Sequence, residues 1–518
     1  MSEVLSNSEQ IPLPNFRQRE NRWKRDLPLL ILVLAVGAYL RIARISFDSL
    51  SFDEQWHLEL STGRGSPHVR LPEDVVIPDA PAVTSLAGAP PWYRVWSNMD
   101  FVVHPPLYCT LLRIWREAFG EGDIAARSFS IVCSLVAIAL LFVAVRMSLG
   151  PGVAFWGALI LAAAPTQVLL AQQVRGYMLL EALGMGAIVA LLVLERGEKA
   201  WFFAAATMAL CVLGMMLTHY FAIGAAAAMG VWALIRLRGP KLRYAITCLF
   251  TAAVVYLIIW GPFLWRQRGY VGATADPWLV ERSENHLVLT LDRLAKWPLR
   301  FIVDPGEESA IGWLGVVLLV APPLLAGRDA RLQLWMLWLA GTLGLVAGLD
   351  LLRGTRQLQF ARYVCLAAPA VAGLIAALAA RLPRPLHHAT PAIVVLIALA
   401  CWRYAYVSEE PDWRKLGQII DQHVQPGEAI VFYHGAQAEW FDEILYLGSA
   451  HYSQQFPRTI VRLSRPASPQ LVQQLPGETA WLVSWQLGTD VSSVLPGARV
   501  MQRYEVPNLA ICTRVRIR

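Results

Sequence analysis

The sequence contains little charge for its length. Only 16% of the 518 residues are charged and 56% are hydrophobic, whereas a soluble protein carries about 25% charged residues. This composition excludes a soluble enzyme, a coiled coil and a disordered chain. Apolar runs near the roughly 20 residues needed to cross a hydrocarbon core recur along most of the sequence. Most of the chain therefore belongs in a lipid bilayer.

The sequence also lacks the motifs of several other protein classes. The seven Cys are scattered and form neither a disulfide framework nor a C-x-x-C metal site. There is no Walker A loop, no G-x-G-x-x-G and no internal repeat, so nothing supports nucleotide-driven energy coupling. The net charge of +7 is not arranged as a basic stripe with aromatics, which excludes a nucleic-acid partner.

The charges that flank the apolar runs predict the topology. Arg and Lys cluster before the first run, which keeps that end in the cytoplasm, and every predicted inner turn carries a cation. We expect a cytoplasmic tail at 1–27, a membrane domain at 28–406 with outer loops at about 46–127 and 264–308, and an extracytoplasmic domain at 407–518. The roughly eleven predicted spans are 28–45, 128–147, 153–170, 177–194, 201–217, 220–236, 245–263, 309–327, 332–350, 361–380 and 388–406.

The C-terminal tail has the pattern of a small α/β domain. A helical period follows Trp413, a turn lies at Pro426-Gly427, and a buried-strand run extends from Ala429 to Tyr433. Further strand candidates are Ala480–Ser484 and a hairpin within Val500–Arg518.

Two adjacent carboxylates, Asp53 and Glu54, follow the first span closely. Beside the outer membrane surface they could supply a general base, a metal ligand or both. The alternative is a helix start, in which Ser51 or Asp53 caps the helix and Glu54 favours its dipole.

His104 precedes two prolines and an amphipathic stretch, Leu107–Trp115, in which Arg113 and Arg116 interrupt the apolar face. One interpretation is an interfacial helix that lies on the bilayer, with His104 incidental. The other is that His104 binds phosphate, a sugar hydroxyl or a metal.

More polar residues are predicted at the outer ends of later spans. Polar groups there can snorkel, but an Arg can also hold a phosphate with a bidentate fork. Because positive-inside sorting does not favour outer cations, we expect at least one of these arginines to bind phosphate. The residues are Gln172 to Tyr177 with Arg175 between them, Thr218-His219-Tyr220, Arg353, Arg356 and Arg362-Tyr363.

Together these residues resemble the GT-C superfamily of polyprenyl-phosphate-sugar glycosyltransferases. The most similar branch contains the protein O-mannosyltransferases of glycosyltransferase family 39, the aminoarabinose transferases and the rhizobial galacturonosyltransferase-like enzymes. The resemblance covers residues 28–380. The motifs that carry it are Phe52-Asp53-Glu54, His104–Leu107, Ala126-Arg127-Ser128, Gln172–Tyr177 and Arg362-Tyr363. Asp412-Trp413-Arg414 also resembles the start of an extracytoplasmic domain in bacterial members.

The resemblance implies a mainly α, polytopic membrane protein of GT-C fold, with outer juxtamembrane helices and a small C-terminal α/β domain. It implies a hexosyl- or pentosyltransferase that inverts the anomeric centre. Asp53 would be the base, and Glu54 would position the acceptor or a metal. Residues expected to bind the donor phosphate and sugar are His104, Arg175, Tyr177, His219, Tyr220, Arg353, Arg356, Arg362 and Tyr363.

One position departs from the family pattern. Gly176 stands where many relatives have Pro, which is expected to loosen that turn.

The resemblance places the protein in a bacterial inner membrane, in cell-envelope glycosylation. Its expected partners are a polyprenyl-phosphate-linked sugar and a hydroxyl of lipid A, a wall polymer, another glycan or a protein. The need for a cofactor stays open: a divalent metal is one possibility, with Glu54 and His104 as the residues that could hold it. Trp413 and Trp440 are hypothesised to stack on sugars.

Two other functions remain as alternatives. A transporter would place ionisable groups near the bilayer midplane and often shows repeated halves, whereas the spans here are nearly free of charge. An O-antigen ligase or glycan polymerase would concentrate its Arg and His in one late outer loop, whereas the strongest cluster here is in the first loop.

Overall fold

The computed structural model of the protein describes residues 16–81, 83–99, 102, 104–197, 201–270, 279–303, 310–326, 331–402, 411–433, 441–457, 459–485 and 490–518. Within these ranges the chain is mainly helical, with a six-stranded sheet. The helices are α1 Phe16–Ile42, α2 Phe52–Ser61, α3 Pro67–Arg70, α4 Arg94–Ser97, α5 Leu107–Phe119, α6 Asp123–Ser148, α7 Pro151–Ala163, α8 Pro165–Ala171, α9 Tyr177–Arg196, α10 Trp201–Met216, α11 Ala222–Arg236, α12 Gly239–Tyr270, α13 His286–Val303, α14 Gly315–Ala326, α15 Gln333–Arg353, α16 Ala361–Val364, α17 Ala368–Ala379, α18 Leu386–Cys401, α19 Trp413–His423, α20 Phe441–Tyr452, α21 Pro469–Gln474 and α22 Val491–Val494.

Several helices are apolar enough to cross a membrane, and the chain is a multi-pass membrane protein. In the described residues, five helical stretches are long and apolar enough to span a membrane: α6, α9, α12, α15 and Ala361–Ala379. The bent pair α7 and α8 would be a sixth, and four further apolar helices have 10–17 residues. At 1.5 Å per residue, the shorter helices cover roughly 15–26 Å, less than the core of about 30 Å. Each of the roughly eleven predicted spans falls largely on a helix. Only five or six of the described helical stretches, however, are long and apolar enough to cross the membrane.

The predicted span 153–170 is broken rather than continuous. α7 and α8 meet at an angle of 62°, because Pro165 has no N–H with which to continue the helix. Arg41 of α1 is fully buried and donates to the freed carbonyl of Ala162 at 2.8 Å. Gln172 Nε2, just beyond α8, donates to the carbonyls of Arg41 and Ala43 at 2.9 Å. The break therefore brings the turn before α9 against the end of α1.

The segment between α1 and α6 contains α2 to α5, and two buried arginines join α2 to α5. Arg116 donates to the carbonyl of Leu58 at 3.0 Å and to Ser61 Oγ at 2.7 Å, and Arg113 donates to the carbonyl of Thr62 at 2.8 Å. These cations satisfy carbonyls at the C-terminal end of α2, where the helix dipole favours positive charge. The predicted amphipathic helix is confirmed as α5, with both arginines buried against α2.

The C-terminal segment forms the predicted small α/β fold. Its strands are β2 Ala429–Tyr433, β3 Ile460–Leu463, β4 Thr479–Trp485, β5 Arg499–Val506 and β6 Ala510–Arg516, and a short strand from earlier in the chain, β1 Val76–Ile77, joins the same sheet. The sheet order is β1-β3-β2-β4-β6-β5, with β2 parallel to β3 and β4, and with β6 antiparallel to β4 and β5. The helix, strand and hairpin predicted here are therefore confirmed.

One of the two edge strands of this sheet, β1, comes from the first long loop. β1, Val76–Ile77, pairs antiparallel with β3. Beside it, the fully buried Arg462 donates to Asp442 at 2.6 Å and to the carbonyl of Leu71 at 2.8 Å. The loop between α1 and α6 and the C-terminal domain thus form one packed unit.

The hypothesis that Trp413 stacks on a sugar is wrong. Its side chain is only 1% exposed and lies in the core between α19 and α20. The ring packs so closely on Gly448 that a Cβ at that position would lie 2.0 Å from it. Trp440 lies outside the described residues.

Candidate active site

Glu54 lies in the first turn of α2 and supports the local fold. The N–H and the hydroxyl of Ser51 donate to Glu54 Oε2 at 2.9 and 3.1 Å. Arg127 of α6 donates to both carboxylate oxygens at 3.1 Å, and the Val174 N–H donates to Oε1 at 2.9 Å. Only 3% of the Glu54 side chain is exposed. The helix-start interpretation therefore applies to Ser51 and Glu54, and these contacts occupy both oxygens of Glu54.

Asp53 points to a different side of α2, because consecutive residues of a helix are about 100° apart. Its Oδ2 accepts from Arg175 at 3.0 Å and from Arg362 at 3.2 Å. These arginines come from the turn before α9 and from α16, so three distant parts of the chain meet here. Its side chain is 40% exposed, and Oδ1 accepts no hydrogen bond from a described residue.

The two arginines keep Asp53 ionised. Burial alone would raise the pKa of this carboxyl, but the positive charges of Arg175 and Arg362 outweigh burial and hold the pKa below its ordinary value. Asp53 is therefore a carboxylate at neutral pH, with one oxygen paired and the other available.

A cavity of about 240 Å³ opens beside this ion pair. It is large enough for a polar ligand and contains one acidic and two basic side chains. The residues that line it are Ser51, Phe52, Asp53, Gln173, Arg175, Tyr177 and Arg362.

Arg175 links this cavity to the segment around His104. Its Nε and Nη2 donate to Tyr177 Oη at 3.2 and 2.9 Å, and Nη2 also donates to His104 Nε2 at 3.3 Å. With Asp53, Arg175 thus has three polar partners around a side chain that is 7% exposed. This fixed arrangement aims the guanidinium at the cavity.

Three neutral histidines lie behind Arg175. The ring of His104 is 5.6 Å from that of His57 and 5.4 Å from that of His219. Burial, with the nearby charge of Arg175, lowers the pKa of both His57 and His219 to about 3. Burial and the same charge also place the pKa of His104 well below its ordinary value. None of these rings therefore carries charge at neutral pH.

The hydrogen bonds of these rings fix their tautomers. His57 Nδ1 donates to the carbonyl of Asp53 at 2.8 Å, so its Nε2 is an acceptor. His219 Nδ1 accepts from the Phe221 N–H at 3.3 Å, so its Nε2 carries the proton, and that atom has no partner in the described part of the chain. His57, His104 and His219 line a small second cavity of about 10 Å³, room for a single water.

Tyr220 and Tyr363 lie outside the two cavities and contact the residues around His104 and His219. Tyr220 donates to Gln267 Oε1, and Gln267 Nε2 in turn donates to the carbonyl of His104 at 3.4 Å. The ring of Tyr363 lies 6.3 Å from that of His219. Neither tyrosine lines the two cavities described above.

Arg353 and Arg356 do not join Asp53. Arg353 is the exposed last residue of α15. Arg356 follows it, and its N–H donates to the carbonyl of Leu279 at 2.8 Å. Neither contributes to the lining of either cavity, so the structure brings only Arg175 and Arg362 of the predicted arginines to the carboxylate.

His57 and Gln267 were missed as site residues. His57 belongs to the Ser51–His57 segment and lies one helical turn after Asp53, a spacing that could have indicated a shared face. Gln267 carries no comparable local signal, because it reaches His104 only through the fold.

A divalent metal finds little support in the described residues. No group of three or more His, Cys, Asp or Glu there is arranged to hold an ion. Glu54 is fully engaged with Arg127 and backbone groups, and His104 Nε2 accepts from Arg175.

Comparison with known structures identifies the fold as that of the GT-C glycosyltransferases. ArnT from Cupriavidus metallidurans in the apo state has a TM-score of 0.57 at 14% identity, covering 97% of this chain and 98% of that one. The oligosaccharyltransferase of Archaeoglobus fulgidus has a TM-score of 0.50 at 11% identity, covering 89% of this chain and 69% of that one. At these identities the structural likeness shows the fold alone, and this fold is the one that the resemblance of the motifs predicts.

The sequence itself gives a narrower match. Residues 103–265 match the family described as dolichyl-phosphate-mannose-protein mannosyltransferase. This range includes His104, Arg175, His219 and Tyr220. No curated protein matches the chain.

Proposed function

We propose that this protein is a membrane glycosyltransferase that moves a sugar from a polyprenyl-phosphate donor to a hydroxyl acceptor. The observation that carries the proposal is the ionised Asp53, held by Arg175 and Arg362 at the mouth of a 240 Å³ cavity. The match of residues 103–265 to a family named for a lipid-phosphate sugar donor supports this donor class.

The charge of the cavity supports a monophosphate donor. Asp53 contributes one negative charge, Arg175 and Arg362 contribute two positive charges, and the histidines behind them are neutral. The site therefore has a net charge of about +1 for a ligand. A sugar joined to a lipid through one phosphate carries a single negative charge, and arginine forks bind phosphate oxygens well.

The reaction follows from these positions. The acceptor oxygen attacks the anomeric carbon while its proton passes to Asp53 Oδ1. The bond between that carbon and the phosphate oxygen breaks, and its electron pair leaves with the polyprenyl phosphate. Arg362 and Arg175 stabilise the departing phosphate, so no general acid is needed. A single displacement of this kind inverts the anomeric centre.

The other predicted residues divide into those that contact the donor sugar and those that support the site. We assign Tyr177, His104 and His219 to the donor sugar, because neutral rings can donate to or accept from hydroxyls, and His219 Nε2 has a proton to donate. Tyr220 and Tyr363 hold these rings in place. Glu54 is a structural support for Asp53.

We also propose the membrane orientation that the flanking charges predict. The N-terminal tail would be cytoplasmic, while the site, the first long loop and the domain from about 407 would lie on the outer face of a bacterial inner membrane. The packing of β1 onto β3 supports a common side for the loop and the domain.

The decisive experiment is sugar transfer by purified protein with Asp53→Asn. Membranes supply a radiolabelled pool of polyprenyl-phosphate sugars, and the label moved to acceptor is measured. Asp490→Asn is the matched control, because Asp490 caps α22 in the C-terminal segment, does not line the cavity, and Asn caps equally well. We expect transfer by wild type and by the control, and its loss in Asp53→Asn with an unchanged size-exclusion profile.

The other outcomes are equally informative. Full transfer by Asp53→Asn removes this residue as the base. If the wild type transfers no sugar from any donor tested, a transporter or a ligase-type enzyme becomes the better interpretation. Loss of transfer on treatment with a chelator would restore a metal to the mechanism.

A further inference from the structure

The connection between α1 and α2, residues 43–51, presents Asp53 to the cavity. It consists of turns rather than a regular element, and Arg44 adopts a positive φ of 65°. A short irregular link has few backbone hydrogen bonds of its own, so its carbonyls need outside donors. How this connection is held therefore decides where α2 begins.

From the membrane domain, Arg127 holds one side of the connection. It donates to the carbonyls of Ile45 and Asp48 at 2.8 Å and to that of Ser49 at 3.2 Å. The same guanidinium binds Glu54.

From the C-terminal domain, Arg414 holds the other side. It donates to the carbonyl of Ser46 at 2.8 Å, to that of Asp48 at 2.9 Å and to Asp123 Oδ2 at 3.0 Å. Two guanidinium groups from separate domains thus bind adjacent carbonyls of one short connection.

Tyr452 completes the contact. Its hydroxyl accepts from the Leu50 N–H at 2.5 Å and donates to Asp123 Oδ2 at 2.9 Å. Next to it, Ser49 Oγ donates to the carbonyl of Pro411 at 2.7 Å. Each residue from 46 to 50 therefore forms a hydrogen bond with a residue of the C-terminal domain.

We propose that Arg414 and Tyr452 are positioning residues, which act through the 43–51 connection to hold Asp53 against Arg175 and Arg362. This inference rests on the proposed function, and it gives the C-terminal domain a part in the reaction that does not require contact with substrate. A displacement of about 1 Å in a reacting group can cost about 10²-fold in rate.

The test compares Arg414→Ala and Tyr452→Phe with wild type in the full-length protein. The control is Arg514→Ala, because Arg514 pairs with Glu428 inside the same domain at 2.6 Å and does not touch the connection. We expect kcat to fall by about 10²-fold in the two variants, with the KM for the donor changed by less than about threefold. Arg414→Lys should remain impaired, since one ammonium group cannot span both carbonyls.

The pH profile separates positioning from loss of fold. If Asp53 moves away from its arginines, its pKa rises, so the acid limb of kcat/KM shifts to higher pH. A general loss of folded protein would lower the rate equally at every pH. An equal fall in kcat in Arg514→Ala, or an unmoved acid limb in Arg414→Ala and Tyr452→Phe, overturns the proposal.

Amide hydrogen exchange tests the same idea without any activity. Peptides covering 45–52 should exchange faster in Arg414→Ala and Tyr452→Phe, while peptides from α9 should keep their wild-type rates. If the wild type transfers no sugar but these peptides lose protection, the proposed function fails and the support of the connection stands. If their protection is unchanged, the positioning role is refuted whatever the activity.

Discussion

Replacing Glu54 by Gln tests whether this carboxylate supports the fold rather than the reaction. Its two oxygens accept five hydrogen bonds, from Arg127 twice, from Ser51 twice and from the Val174 N–H. Gln keeps one acceptor oxygen and turns an NH₂ group toward these donors. It also leaves the charge of Arg127 buried without its counter-ion.

The magnitude follows from the burial of the pair. Arg127 and Glu54 are 6% and 3% exposed, and removal of one partner from such a pair costs about 3–5 kcal/mol. The free energy of unfolding of Glu54→Gln should therefore fall by about this amount. Asp53→Asn should change it less, because the Asp53 side chain is 40% exposed and its buried partner Arg175 keeps its hydrogen bonds to Tyr177 and His104.

The assay is chemical denaturation of both purified variants in detergent, followed by tryptophan fluorescence, together with the transfer assay on the folded fraction. We expect Glu54→Gln to be unstable but to retain activity per folded molecule, and Asp53→Asn to be stable but inactive. A Glu54→Gln protein of wild-type stability that transfers no sugar would refute the reasoning and place Glu54 in the chemistry.

Three further predictions can be tested with the same preparations. In Arg362→Gln the pKa of Asp53 should rise because one of the charges that lowers it is lost, so the acid limb of the pH profile should move to higher pH. The same variant should lose about 10²–10³-fold in kcat, whereas Arg356→Gln should stay near wild type. An equal loss in both would contradict the assignment. Gly176→Ala should lower stability by about 1–3 kcal/mol, because its Cβ would lie 3.1 Å from Thr218 Cγ2 in a packed region, and an unchanged unfolding midpoint would contradict this.

The local parts of this fold could be predicted because their signals are local. Ala429 to Tyr433 is an apolar run bounded by a Pro-Gly turn, and it forms β2 with the same bounds. The break at Pro165 could have been predicted in the same way, since proline ends a helix wherever no compensating contact exists. The number of full-length spans could not, because an apolar helix of 10–17 residues and a longer one give similar runs.

The site could be predicted only in part. Residue type and position singled out Asp53 and Arg362, but they are 309 residues apart and only the tertiary fold shows that they meet. The neighbours Asp53 and Glu54 were both expected to take part in the reaction, although helical geometry turns Asp53 to the cavity and Glu54 into the protein. The Trp413 prediction was wrong for a similar reason, because burial depends on the packing of α20 against α19.

The strand β1 has a consequence for the order in which the protein is assembled. Val76 and Ile77 leave the ribosome early, yet their partner strand β3 is synthesised several hundred residues afterwards, as is Pro411, which lies 362 residues beyond Ser49. The loop that carries Asp53 therefore lacks its contacts with the C-terminal segment until the intervening membrane helices have been synthesised. A chain interrupted during that interval would have Arg127 to hold the connection before α2, but neither Arg414 nor Tyr452, so this connection would lack the contacts that the C-terminal domain supplies.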